Sequence, residues 1–265
     1  MELNLEILCE QVCDLSKEVG AFIKQEVNKV GNQDIETKSL NSLVSYVDKT
    51  AEQKIVKRLS ELLPESGLIA EEGTSSKVGD TFNWIIDPLD GTTNFLHALP
   101  VFSVSIALQR NEEIILGVVY EVNQDECFYA WEGSKSYLNG EVIQVSNTEQ
   151  LSDSLLATGF PYYDFDRLDS FFEFLKYLAQ NSRGIRRMGS AAVDLVYVAC
   201  GRFDAFFEYS LNAWDVAAGA FIVRQAGGKV SDFKSKDDWL FGRTIIASNN
   251  NLALEFQASL KRYLG

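Results

Sequence analysis

The segment Trp84-Ile85-Ile86-Asp87-Pro88-Leu89-Asp90-Gly91-Thr92-Thr93-Asn94-Phe95 restricts the fold of this chain more than any other. An apolar strand that ends on Asp87 carries that acid to the carboxyl edge of a sheet, where the sites of α/β proteins gather. Pro88 fixes the backbone so that Asp90 returns beside Asp87. Two carboxylates held so closely repel each other unless a cation lies between them. Gly91 lets the chain turn, and Thr92 or Thr93 can open a short helix whose first N–H groups bind phosphate. Metal ligands would then sit next to an anion cradle, the pairing that phosphoryl chemistry needs. The alternative is an Asp-rich turn with Gly and Thr caps.

Apolar periodicity places the other elements. Leu5, Leu8, Val12, Leu15, Val19 and Phe22 repeat at the spacing of an amphipathic helix. Ala51, Ile55, Leu59 and Leu62 form the inner face of a second helix, stopped by Pro64. Residues 67–70 read as a short buried strand ending on Glu71 and Glu72, and 83–86 as another. Phe102, Val104, Ile106 and Leu108 alternate with small polar residues, the sign of a half-buried strand. Residues 114–120 and 127–131 continue the sheet, and Asn139-Gly140 marks a hairpin with a primed turn. Beyond about residue 150, helices at 167–180, 190–200, 215–226 and 249–263 alternate with short strands, the third closed by Gly227-Gly228. No repeat or low-complexity linker interrupts the pattern. The expectation is a single domain over 1–265, with an α+β lobe at about 1–148 and an α/β lobe at about 149–265 on one core.

Composition narrows the chemistry. The 265 residues are 46% apolar and 23% charged, an ordinary globular mixture. Acids at the N-terminus replace the bases of a secretory leader. The uncharged stretch 91–109 is broken by Asn94, His97 and Pro100, too polar for a lipid-facing helix. A cytoplasmic protein with no membrane partner is expected. Cys9, Cys13, Cys127 and Cys200 show neither C-x-x-C nor zinc-finger spacing and should pack as reduced thiols. A net charge of −14 repels nucleic acid. It also repels phosphate, so a phosphate site here needs bound cations to invert its field. With His97 as the one histidine, two-histidine metal motifs are excluded, and His97 beside Leu96 and Leu99 reads as structural. Carboxylates, hydroxyls and backbone must supply the chemistry. Besides Asp87 and Asp90, the oxygen donors are Glu71 at a strand end, Asp48 before the second helix and Asp215 at the start of an apolar helix. The last two are equally well placed as simple caps. Such hard ligands suit Mg²⁺.

Asp87-Pro88-Leu89-Asp90-Gly91-Thr92-Thr93 and Trp214-Asp215-Val216-Ala217-Ala218-Gly219 together resemble the two motifs of the inositol monophosphatases, within a lithium-sensitive, metal-dependent phosphatase superfamily. The resemblance extends over nearly the whole chain. It implies a layered αβαβα sandwich of the α+β and α/β kind, a homodimer, lithium sensitivity, two to three Mg²⁺ ions and a small phosphorylated polyol as substrate. It implies Glu71, Asp87 and the Leu89 carbonyl as ligands of a first metal, Asp87, Asp90 and Asp215 as ligands of a second, and Glu71 at a weaker third. Thr92, backed by Asp48, would orient with Glu71 the water that attacks phosphorus in line. The Gly91 and Thr92 amides would hold phosphate. Gly189, Ser190 and Ala191 would line the substrate pocket beside Asp90 and Asp215, and Glu208 would meet the sugar ring. Lys38, in a loop before Asp48, falls in a segment that aligns poorly. Ser210 stands where many members have glycine, and Thr93-Asn94-Phe95 departs from the lysine of a nucleotide-directed branch.

Other activities compatible with the same fold are a fructose-1,6-bisphosphatase-like or histidinol-phosphatase reaction. A non-enzymatic alternative is a regulatory dimer that binds a phosphorylated ligand or a protein. Asp164-Phe165-Asp166-Arg167-Leu168 imitates a dehalogenase-type nucleophile motif but follows a loop-like stretch and ends in Leu. Its acids are expected to cap the helix that carries Phe171, Phe174, Leu175 and Leu178. No cysteine is followed six positions later by arginine, and no glycine-rich nucleotide loop occurs.

Overall fold

α1 (Leu5–Glu26) begins where the Asn4 side chain accepts a hydrogen bond from the Ile7 N–H, and it buries Leu8, Val12, Leu15, Val19 and Ile23 along one stripe. The computed structural model describes residues 3–39, 42–73, 78–161 and 164–265. A short antiparallel ribbon, β1 (Ile35–Ser39) with β2 (Ser42–Ser45), leads into α2 (Tyr46–Leu62), whose inner face is Val47, Ala51, Ile55 and Leu59. Then come β3 (Gly67–Ala70), β4 (Phe82–Asp90), α3 (Thr92–Leu96), β5 (Ser103–Arg110), β6 (Glu113–Glu121), β7 (Glu126–Trp131), β8 (Ser136–Leu138) and β9 (Glu141–Ile143). These strands form one sheet in chain order, antiparallel except for the β3–β4 pair. The β8–β9 turn is the expected primed one, with positive φ at Asn139 and Gly140.

The second half supplies β10 (Leu155–Thr158), α4 (Leu168–Asn181), β11 (Gly184–Arg186), α5 (Ala191–Ala199), β12 (Ala205–Tyr209), α6 (Ala213–Gln225), β13 (Lys229–Ser231), β14 (Thr244–Ser248) and α7 (Ala253–Leu264). Its five strands are ordered β11-β10-β12-β14-β13, with β14 antiparallel to both neighbours. Strand alternation sorts the side chains into three cores. Trp84, Ile86, Val104 and Ile106 face α1 and α2. Ile85, Ala107 and Val119 point the other way, to α5 and α6, which Phe206 and Ile245 meet from the second sheet. Phe207 and Ile246 face outward onto Phe171, Phe174 and Phe256 of α4 and α7. The order helix, sheet, helix, sheet, helix is the expected αβαβα sandwich.

Two expectations fail locally. β5 is not half-buried, since Ser103 to Gln109 are all buried. Its small alternate residues face α6 and not water. Nor do Asp164 and Asp166 cap α4: the cap position is Arg167, with no side-chain bond to the helix, and Asp164 instead accepts the Asp166 N–H at 3.3 Å in a local turn. Cys9, Cys13 and Cys127 are buried, Cys200 is half-buried, and all four are free. No helix among the described residues is long and apolar enough to cross a membrane.

Gly117 on β6 permits the close approach of α6. A Cβ there would lie 2.9 Å from the Ala218 carbonyl oxygen and 3.1 Å from its Cα. Because both are backbone atoms, relief requires α6 to back away from the sheet. Gly117→Ala is expected to lower unfolding stability by ~1–3 kcal/mol, measured by urea denaturation. An unchanged midpoint would mean that the helix–sheet spacing is not limiting.

Candidate active site

β4 loses its register with β5 between Asp87 and Asp90, where three steps on one strand match two on the other. The bulge turns Asp87 back on its own chain, and its Oδ1 accepts the Leu89 N–H at 3.0 Å. Gly91 then adopts φ +97°. A Cβ at Gly91 would stand 3.0 Å from the Val101 carbonyl oxygen, so the turn needs glycine for both conformation and space. α3 starts at once with Thr92. The Thr92 hydroxyl lies 2.9 Å from Asp48 Oδ1 and 3.0 Å from the Leu89 carbonyl oxygen, two acceptors that compete for its one proton.

Asp48 does not stand before α2, as the sequence suggested, but in its first turn. Ser45 is the N-cap, and Asp48 completes a capping box, its Oδ2 accepting the Ser45 N–H at 2.8 Å and hydroxyl at 2.7 Å. Asp215 is likewise inside α6: Asn212 caps the helix and gives its N–H to Asp215 Oδ2 at 2.6 Å. Asp90 reaches a third helix start. Its Oδ2 accepts from the Ser190 hydroxyl at 2.6 Å and the Ala192 N–H at 2.7 Å, at the head of α5. Asn94, which sequence reasoning gave no role, ties the two halves of the site: its amide donates to the Val101 carbonyl at 2.7 Å and the Met188 carbonyl at 2.8 Å.

A cleft with about 640 Å³ of open space brings together Glu71, Asp90, Gly189, Ser190, Ala191, Glu208 and Asp215. Asp48, Asp87, Leu89, Gly91 and Thr92 do not line it; the last four belong to the bonded turn that presents Asp90, and Asp48 reaches it from α2 through Thr92. Glu208 is not a solvated strand-end acid. It lies one residue before the end of β12, is buried, and presses its carboxylate on Gly159. His97 is exposed at the end of α3, outside the cleft lining. Lys38 falls on strand β1 and not in a loop, and its side chain lies outside the described residues. Sequence reasoning missed Arg187 and Asp194, both in the lining. For Asp194 the available signal was a lone acid inside an otherwise apolar helix.

The acids act on one another. Burial first, then Glu71, Asp90 and Asp215, holds the Asp87 carboxyl well above its ordinary range. Asp90 is pushed up to about 6 by burial, against the opposing bonds from Ser190 and Ala192. Burial also raises Asp215, partly offset by the Asn212 N–H, and Asp90 and Glu71 add to the rise. Among the described residues no three His, Cys, Asp or Glu side chains come together closely enough to hold a metal ion. The donor chemistry nevertheless fits one: hard carboxylate oxygens, a backbone carbonyl at Leu89, and repulsion that a divalent cation would relieve.

Fold and cleft together define an enzyme of the layered αβαβα phosphatase class. The chain belongs to the Inositol monophosphatase family, whose model matches residues 4–263. It is 40% identical over 239 residues to the Nus factor SuhB of Pseudomonas aeruginosa, covering 88% of each chain. It is also 40% identical over 235 residues to the fructose-1,6-bisphosphatase/inositol-1-monophosphatase of Thermotoga maritima, covering 89% of this chain and 88% of that protein. The crystal structure of the extragenic suppressor protein suhB from Bartonella henselae superposes with a TM-score of 0.91 at 36% identity, over 97% of this chain and 99% of that one.

Raised carboxyl groups bind protons more tightly in the folded state than in the unfolded one. Their contribution is therefore destabilising at high pH, and it is relieved as pH falls from the folded values, near 6 for Asp90, toward the ordinary carboxylate range. The metal-free protein should melt at a higher temperature at about pH 5.5 than at about pH 8. Millimolar Mg²⁺ should raise the melting temperature most at the higher pH and flatten the trend. A metal-free protein whose stability does not change over that range would contradict this electrostatic account.

Proposed function

We propose that the chain is a Mg²⁺-dependent phosphomonoesterase of small polyol phosphates, with myo-inositol monophosphate as its leading substrate. The supporting observation is the Thr92 hydroxyl, held between Asp48 and the Leu89 carbonyl beside the Asp87–Asp90 bulge. Glu71, Asp87, Asp90, Asp215 and the Leu89 carbonyl would hold the ions, which when bound supply charge neutralisation and acidify water. Asp48 takes the Thr92 proton in a hydrogen bond and so leaves the threonine oxygen as an acceptor for the attacking water. Glu71, on the cleft wall, receives the proton that this water sheds. The N–H groups of Gly91 and Thr92 meet phosphate oxygens. Gly189, Ser190 and Ala191 border the alcohol, and Glu208 accepts hydrogen bonds from its ring hydroxyls. The family resemblance supports a homodimer and inhibition by lithium, and the composition supports a cytoplasmic setting without nucleic-acid or membrane contact.

Two further readings draw on the relatives. The bisphosphatase part of the Thermotoga maritima protein's name supports sugar bisphosphates as additional substrates. The Nus factor name of the Pseudomonas aeruginosa relative supports a partner other than the small-molecule substrate, alongside catalysis. Turnover measured across inositol monophosphate, a sugar bisphosphate and histidinol phosphate ranks the substrates.

Chelation of divalent metal should abolish phosphate release, and Asp90→Asn should lower kcat by at least ~10²-fold. Asp164→Asn, in a turn remote from these ligands in sequence, should leave kcat within about threefold. Phosphate release that survives chelator refutes the metal mechanism. Glu208→Ala should cut kcat/KM for inositol monophosphate by about tenfold to a hundredfold while sparing an aryl phosphate. Equal losses on both substrates would place Glu208 in the hydrolytic machinery or the fold.

A further inference from the structure

Every residue of α5 from Ala191 to Ala199 is buried, and all but Asp194 are apolar or aromatic. An acid in such surroundings is unfavourable unless its oxygens find partners. Asp194 is 1% exposed, and its Oδ1 has no hydrogen-bond partner among the described residues. Burial, then Glu208 and Asp90, raises its carboxyl well above the ordinary range, while Arg187 opposes the rise. A fold selected only for stability has no use for this group.

Asp194 is not sealed away, however. It lines the same cleft as Ser190 and Glu208. Helix geometry explains how: side chains lean toward the helix N-terminus, and residues four apart share a face. Asp194 thus leans back over Ser190, whose hydroxyl is 2.6 Å from Asp90 Oδ2. Arg187 acts on both Asp194 and Glu208, drawing each carboxyl down. One guanidinium does not neutralise two acids, but a buried carboxyl also takes up a proton readily, so the missing partner need not be a cation. A hydroxyl fits better, because it can donate to a carboxylate or accept from a carboxylic acid.

We propose that Asp194 is a second polyol-reading residue: with Glu208 it engages two hydroxyls of the leaving alcohol, so that the site selects phosphates flanked by hydroxyl-bearing carbons. The assignment rests on the phosphatase reading above. It names a residue on α5, whereas Glu208 comes from β12. It also predicts that stability and selectivity move in opposite directions at one position.

The test compares wild type, Asp194→Leu and Asp194→Asn. Leucine removes the unpartnered oxygen while keeping the branched shape, and the cleft beside it takes up the bulk of the methyl groups, so the melting temperature of the metal-free protein should hold or rise. With Mg²⁺, kcat/KM for inositol monophosphate should fall by about tenfold to a hundredfold, and that for p-nitrophenyl phosphate should stay within about threefold. Asparagine keeps an acceptor and should recover part of the polyol rate. Should the leucine variant fail to fold, the proposal is overturned if the asparagine variant matches wild type on both substrates. Equal losses on both substrates, or a lowered melting temperature with unchanged selectivity, also overturn it and make Asp194 a structural acid. Wild type that cleaves the aryl phosphate but no polyol phosphate defeats the Asp194 assignment alone. Wild type inert toward both defeats the phosphatase reading as well.

Discussion

Repulsion among acids gathered at one end of the sandwich is the constraint that the rest of the structure serves. Asp87, Asp90 and Asp215 each raise, or are raised by, another of the group, and Glu71 adds to all three. The fold answers with helix starts. Asp48 completes the capping box of α2, Asp215 that of α6, and Asp90 is bound by the first N–H groups and hydroxyl of α5. Each start presents the positive end of a helix dipole to an acid. α3, opening at Thr92, adds a fourth. Donors aimed at carboxylates are thus built in before any ion binds. On Asp90 and Asp215 they engage Oδ2, and the group is left short of full neutralisation, which is the condition for taking up a cation.

Placing four helix starts together requires a rigid frame, and the layers supply it. α6 packs against β6 at a distance set by Gly117, with Ala218 against it. Its Gly219 likewise leaves no room for a side chain next to Leu195 of α5. Small residues therefore bring α5 and α6 close to each other and to the first sheet, and Asp90 and Asp215 are positioned by that contact. The apolar core and the polar site are two ends of the same helices. A shift in helix packing would be felt at the acids.

Much of this was legible in the sequence where residue type and spacing carry one meaning. The bulge acids were, because an apolar strand followed by Asp-Pro-Leu-Asp-Gly leaves little else to read. The layers were, because helical and strand periods stay distinct. Asp48 and Asp215 were placed about one turn off. Both acids sit three residues after a cap residue, Ser45 or Asn212, a pattern that distinguishes the third helical position from the cap itself. β5 was misread because Ser103, Ser105 and Ala107 look like a solvent face, when their small size accommodates a helix. Asn94 could not be placed by pattern at all, and Asp194 showed only as a lone acid in an apolar helix. Their roles depend on residues nearly a hundred positions away or on the helix lying against a cleft.

The loop at Ser210 shows how the two ends of the site are joined. Ser210 adopts φ +71°, the left-handed conformation that glycine takes without strain. Its backbone is strapped down: the Ser210 N–H donates to the Arg243 carbonyl at 2.8 Å, and the Arg243 guanidinium donates to the Ser210 carbonyl at 3.2 Å. The same guanidinium donates to Asn212 Oδ1 at 3.2 Å, on the residue that caps α6. Arg243 thus fixes the path from Glu208 to Asp215, both on the wall of the cleft. Serine is tolerated because two long-range bonds to Arg243 offset the strain of its conformation. A serine in place of glycine changes the side chain at the rim and preserves the backbone turn. Side chains at this loop can therefore change without disturbing the acids of the cleft.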